Sequence, residues 1–318
     1  MTELVGKEAD VMNSKIFFWT LRRTPTIRIF LCLLALFYPL SSYAYEPAFG
    51  EFVQQVNGVE YKLKVKIQDV KFGDGVGQLH TFSIYRAGKF VHSSKWDGGR
   101  ITGCRTFGPE GGMKDFLNAT GIENNMSAVI WKISLTTWCG GNTSHLTDHY
   151  IVVSNNGNYH ESTIEDFKWH VTYMSTEKSF AIYYMKQDWG GGGTSSSIFV
   201  PKKYVIEKSD WGIYGKKAQL TLNELVNIPW NKDEQTGKVT QLSFPNLFQY
   251  CMDQQAPDIC DYAVNNAFKE AELKWYKGYF GWQEERGPLT KIHFQEYTEM
   301  LKKTKKINEE MKSLFSLN

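Results

Sequence analysis

The 318-residue chain lacks any apolar run long enough to cross a bilayer. A spanning helix needs about 20 apolar residues, and residues 29–40 (IFLCLLALFYPL) supply 12. It also lacks a charge excess of either sign. Thirty-six Lys and Arg face 34 Asp and Glu, for a formal +2. Residues 1–44 hold five of the basic residues and three of the acidic ones, so the remainder is balanced at 31 against 31. That balance argues against a nucleic-acid protein, which usually carries a clear basic excess. Catalytic signatures are missing too. There is no G-x-S-x-G elbow and no H-E-x-x-H zinc helix. Gly73, Gly75 and Gly77 lack the third spaced glycine and following helix of a dinucleotide loop, and Gly190 to Gly193 lack the Lys-Ser/Thr end of a phosphate loop. The glycine runs show no regular period, which excludes a repeat array.

What is present starts with residues 1–44. Arg22, Arg23 and Arg28 precede the apolar run, and Ser41-Ser42-Tyr43-Ala44 follows it, with small residues at −3 and −1 of a cut before Tyr45. This has the form of a cleaved secretory signal peptide, and the run is short for an uncleaved anchor. Export implies a periplasmic or secreted protein with no membrane span after cleavage. Of five cysteines, Cys32 lies in the leader, leaving Cys104, Cys139, Cys251 and Cys260. An even set in an oxidising compartment suggests disulfides. Three pairings are open; the sequence-local one is Cys104–Cys139 with Cys251–Cys260.

Aromatics at 15% and hydrophobics at 42% exclude a disordered chain. From about 50 to 222 the pattern has period two. Val59, Tyr61, Leu63, Val65 and Ile67 alternate with polar residues, as a half-buried strand does. Ala87-Gly88 and Asn155 to Asn158 mark turns. Pro201 lacks a ladder donor, so its strand should lie at an edge or contain a break. From about 223 helices take over: Leu222 to Val226, Phe244 to Met252, a long one capped by Asp258 and running to about Tyr279, and Thr290 to Leu314. The last should bury Ile292, Tyr297, Leu301, Ile307, Met311 and Leu314, with its lysine pairs solvated. The fold class is therefore α+β: an antiparallel β domain at 45–222 (sandwich, barrel or twisted sheet), then a disulfide-stapled helical domain at 223–318.

The richest polar cluster spans residues 139–149. His145, Asp148 and His149 have the H-x-x-[acid]-H spacing of inverted zinc peptidases. That chemistry needs one helical turn, whereas this segment opens a strand, where residues four apart stand about 13 Å apart. Cys139 beside these histidines reads as half of a disulfide rather than a nucleophile. Glu161, Glu165 and Asp166 offer carboxylates for glycoside chemistry, or acidic turn residues. Trp131 and Trp169 fall on strand alternation and suit a core. Trp138 and Trp189 sit beside glycine runs, where a ring can stack on a sugar or anchor a partner.

Cys251 and Cys260 at a helix entry, then Phe268-Lys269-Glu270-Ala271-Glu272-Leu273, resemble the LprI-type lysozyme-inhibitor domain of bacterial envelopes. The likeness covers about 60 residues. It departs where the usual Asn is Lys274, where the aromatic one turn on is Lys277 with Tyr276 displaced by one, and in a short cysteine spacing. The β part resembles many exported bacterial β-proteins, which implies no activity. The resemblance implies a non-catalytic envelope protein that binds or inhibits a wall-degrading enzyme. The expectation is thus a binding or inhibitory module with no catalytic residue, cofactor or metal, and with a protein or glycan partner. The alternatives are an envelope-polymer hydrolase built on His145, Asp148 and His149, and a carbohydrate-binding module using Trp138 and Trp189.

Overall fold

The computed structural model describes residues 48–72, 75–97, 105–107, 119–138, 144–165, 167–188, 198–232, 236–273 and 287–315. The leader, Cys104, Cys139, Asp166 and Trp189 lie outside them, as do the side chains of Trp138, His145 and Trp169. Among the described residues no helix is long and apolar enough to cross a membrane.

Three antiparallel sheets carry the chain. The first is a meander of β1 (Ala48–Val56), β2 (Val59–Phe72), β3 (Gly75–Arg86) and β4 (Lys89–Asp97). Two of its hairpins are two-residue turns. Asn57-Gly58 has φ of 53° and 74°, and Ala87-Gly88 has 47° and 76°, the left-handed pair that matches strand twist. The second sheet contains β5 (Arg105–Phe107), β6 (Ala119–Gly121), β7 (Ala128–Trp138), β8 (Ser144–Ser154) and β9 (Tyr159–Glu165), in the order β5-β7-β8-β9 with β6 also on β7. The third is β10 (Phe167–Ser175), β11 (Ser179–Asp188), β12 (Ile198–Ser209) and β13 (Gly212–Ala218). A small ladder joins β14 (Asn231–Lys232) to β15 (Val239–Thr240).

Side-chain parity shows how the sheets stack. Val129, Trp131, Ile133, Ile151 and Val153 of the second sheet pack with Leu63, Val65, Phe82 and Ile84 of the first. Their sequence neighbours Ala128, Ile130, Tyr150 and Val152 point the other way, onto Phe180, Ile182 and Ile206 of the third. Ala181, Tyr183 and Met185 on the far face of β11 then meet the helices. Strands β7, β8 and β11 are therefore covered on both faces, which is why their middles read as continuous apolar runs.

The helices are α1 (Leu222–Asn227), α2 (Phe244–Gln254), α3 (Pro257–Tyr262) and α4 (Lys291–Phe315). Thr221 and Glu224 form a capping box on α1. The Glu224 carboxylate also accepts from Tyr183 (2.7 Å) and Lys203 (2.6 Å), tying α1 to the third sheet. Pro201 behaves as its chemistry requires. Its strand pairs with β11 there, but β13 joins only from Lys203 onward, so Pro201 faces a local edge. At that edge Asn246 of α2 donates to the Phe199 carbonyl at 2.7 Å. Cys251 of α2 and Cys260 of α3 form the expected disulfide, with Cα atoms 5.3 Å apart.

Two helix expectations are corrected. Asp258 is not a cap: Ala256 holds that position, Pro257 begins the helix, and Asp258 lies in the first turn. There its carboxylate faces the positive helix end. Nor does the helix run on. It passes into a π turn at Ala263–Ala267, and Phe268 turns extended (ψ 128°) before a 3₁₀ turn at Glu270–Glu272. Asn265 and Asn266 are poor helix formers. The break lets the Phe268 ring meet Phe244 at 5.0 Å, in a cluster with Phe248 and Phe294. Across Phe268–Glu272, where the inhibitor resemblance implied a lysine- and acid-rich helix, the chain makes only this 3₁₀ turn; Leu273 is helical and residues 274–286 lie outside the described ones. In α4 the buried positions are Phe294 and Thr298, with Tyr297 and Leu301 packed beside them. Ile292, Ile307, Met311 and Leu314 are exposed. The apolar residues of α4 form two stripes, and only one meets the core.

The disulfide spans nine residues of sequence. Closing so short a loop stabilises by about 2–3 kcal/mol on the chain-entropy model. A Cys251→Ser/Cys260→Ser protein should lose that much in urea unfolding; an unchanged midpoint would show that the surrounding phenylalanines suffice.

Candidate functional site

The candidate residues at 148 and 149 are consecutive on β8, so their side chains leave on opposite faces. Each is nearly inaccessible, Asp148 at 1% and His149 at 2%. They enter two different interlayer spaces.

His149 faces the first sheet. Its ring stacks on Phe82 with centroids 4.7 Å apart. Its Nδ1 lies 3.0 Å from the Thr163 hydroxyl, and its Nε2 lies 3.3 Å from Glu161 Oε1. Glu161 also accepts from Ser94 of β4, whose oxygen in turn accepts from Tyr159 at 3.2 Å. His92 stacks on Tyr159 at 4.0 Å. His80 completes the group, fully buried on β3. Burial alone would raise the Glu161 carboxyl, but hydrogen bonds from His149, Ser94 and Tyr159 outweigh it and hold it at about 2. Burial, then the proximity of His149, pushes His80 down to about 3. The space therefore contains an ionised carboxylate and a neutral imidazole.

Asp148 faces the third sheet. It accepts from Ser134 and from the Tyr150 hydroxyl (3.2 Å), with Lys132 Nζ at 3.6 Å. Tyr150 also shares a hydrogen bond with Tyr173 at 3.2 Å. Burial raises the Asp148 pKa despite Lys132, Ser134 and Tyr150. A buried carboxyl costs several kcal/mol unless such partners satisfy it; all three lie on the second sheet, and the Tyr150–Tyr173 hydrogen bond is what reaches the third.

The strand thus separates the cluster that the spacing had grouped. His145 pairs through its backbone with Thr137. Glu161 and Glu165 share a face of β9, but Glu161 is in the network while Glu165 is exposed. Trp131 is core at 1%, as alternation required. Among the described residues no three His, Cys, Asp or Glu groups converge to hold a metal ion. Spacing missed His80, His92, Ser94 and Tyr159, because Ser94 and Glu161 lie 67 residues apart. It also missed Trp211, which stands 88% exposed beyond β12, and a cavity of about 520 Å³ beside β9, β11, β12 and β13. No protein family, curated protein or solved structure matches this chain.

The two shifted groups set an acid response. His80 titrates lower folded than its ordinary 6.5, so stability is complete above 6.5 and declines as pH falls toward 3. Glu161 adds a second loss between 4.5 and about 2. In urea unfolding at stepped pH, His80→Gln should flatten the upper limb and Glu161→Gln the lower. Slopes unchanged in both variants would assign acid sensitivity elsewhere.

Proposed function

We propose that the chain is an exported, non-catalytic binding module of the cell envelope that seats a helix in the cleft of a wall-degrading enzyme. The observation that carries this reading is the second half of α4. Every residue from Lys303 to Phe315 is exposed. Met300, Ile307, Met311 and Leu314 remain 50–67% exposed. At about 100° per residue they fall within about 60° of arc, a single stripe. Thirteen exposed residues make a marginal helix in water. A groove that buries the stripe would supply what the chain does not, in the helix-in-groove mode.

Charge selects the groove. The arm carries Lys303, Lys305, Lys306 and Lys312 against Glu309 and Glu310. Its complement is an apolar cleft with acidic groups, and glycoside hydrolases carry a carboxylate pair at the cleft floor. Lys302 anchors the arm's root, pairing with Asp261 of α3 at 2.5 Å and with Glu299 at 2.8 Å. Export is supported by the form of residues 1–44 and by the Cys251–Cys260 bond. The stacked sheets read as a sandwich-type scaffold that presents the arm. Against the hydrolase alternative stands the divergence of Asp148 and His149, each engaged in its own buried network.

Lysozyme binding to the mature protein tests this. The wild-type chain should bind and reduce turnover on wall material. Ile307→Lys/Met311→Lys should weaken binding at least tenfold, with stability changed by less than about 0.5 kcal/mol, as for surface sites. Equal binding by both proteins would discard the arm; no binding would discard the inhibitory reading.

A further inference from the structure

The cavity of about 520 Å³ has a size typical of small-ligand sites. It is lined by the end of β9, by β11, β12 and β13, and by Tyr250 and Gln254 of α2. Tyr184 of β11 lies opposite Lys202 of β12, and Tyr204 of β12 lies opposite Lys217 of β13. Tyr184 and Tyr204 pack toward the second sheet. Opposed residues share a face, so Lys202 and Lys217 point the same way. Lys186, two residues beyond Tyr184, does as well. All three lysines line the cavity with Tyr184. Lys186 lies opposite Val200 and Lys217 opposite Tyr204, so each is a diagonal neighbour of Lys202, about 7–8 Å from it, and the three ammonium stems run in a line across the sheet past Tyr184.

Two of these lysines are uncompensated. Among the described residues no carboxylate pairs with Lys186 or Lys217. Lys202 has Asp253 at 3.5 Å. Lys186 and Lys217 are each a diagonal neighbour of Lys202, still within reach of a long side chain, and a bound anion would offset this gathering of like charge.

The rest of the wall identifies what carries the charge. Three glutamines (Gln187, Gln219 and Gln254) contribute to it. An amide offers donor and acceptor together, which suits hydroxyl groups. Exposed Glu165 at the margin is an acceptor only, which suits a hydroxyl. Tyr184 and Tyr250 add aromatic surface. The Tyr250 hydroxyl takes the Leu220 N–H at 2.6 Å, fixing α2 against the end of the sheet, so the cavity is preformed.

We propose that this cavity binds an acidic saccharide, its carboxylate held over Lys202 by the flanking Lys186 and Lys217 and its hydroxyls by the glutamine amides and Glu165. This goes beyond the helix arm and does not depend on it.

Calorimetric titration of the mature protein would use glucuronic acid and N-acetylmuramic acid, with glucose, N-acetylglucosamine and inorganic phosphate as comparisons. At least one acidic sugar should bind tenfold or more tightly than its neutral counterpart, and more weakly as salt rises. Lys186→Gln/Lys217→Gln should reduce that binding at least tenfold without lowering the urea midpoint. Lys216→Gln, which removes an outward pair with Glu207, should leave it unchanged. Ile307→Lys/Met311→Lys should leave it unchanged too, which separates this site from the arm. Equal binding of acidic and neutral sugars would overturn the charge assignment. Phosphate binding as tightly as the sugar would overturn the saccharide assignment. Absence of binding, or full binding by the double variant, would overturn the site.

Discussion

The second sheet has no polar face through the middle of β7 and β8, and the rest of the molecule answers to that constraint. Val129, Ile130, Trp131, Ile151, Val152 and Val153 are all within 1% of full burial. A sheet apolar on both sides must be covered on both sides. The first sheet covers one and the third covers the other. The third sheet then has its own outer face to hide, because β11 is apolar on both sides too, and the helices meet that need. The order of layers is thus a succession of faces that water would not tolerate.

Such a stack is expensive for polar groups, which explains the histidines and carboxylates at its seams. His149, Glu161, Thr163 and Ser94 satisfy one another between the first and second sheets. Asp148, Lys132, Ser134 and Tyr150 do so on the other face of the second sheet, and Tyr150 carries the link to Tyr173 of the third. Hydrogen bonds in a low-dielectric layer are directional, whereas aliphatic contacts can slide. The two sets therefore fix how the sheets align. A cluster that looked like chemistry along the chain serves as registration across it.

The features left for recognition lie where the stack ends. The arm of α4 extends past the Phe244, Phe248 and Phe294 cluster that holds its first turns. The lysine-lined cavity opens beside the end of β9, the last strand of the second sheet. Both present groups that the chain's own contacts leave unsatisfied, apolar in one case and cationic in the other. Interfaces commonly form where a rigid scaffold stops satisfying its own surface.

Much of the fold was legible in the sequence. Alternation placed β2 and β7, turn residues placed the Ala87-Gly88 hairpin, the local cysteine pair formed, and Pro201 announced an interrupted ladder. These are local properties: strand parity, backbone conformation and short loop closure act over a few residues. The stripe of α4 that meets the core, the helix break at Phe268 and the opposite destinations of Asp148 and His149 were not legible. Nor was the line of Lys186, Lys202 and Lys217 past Tyr184. A linear pattern reports which face a side chain occupies, but what lies across that face depends on segments 14 to 94 residues away. The sequence by itself determined the elements and their apolar faces. Only the tertiary structure decided which faces met, because that choice rests on simultaneous burial of several faces that no single segment encodes.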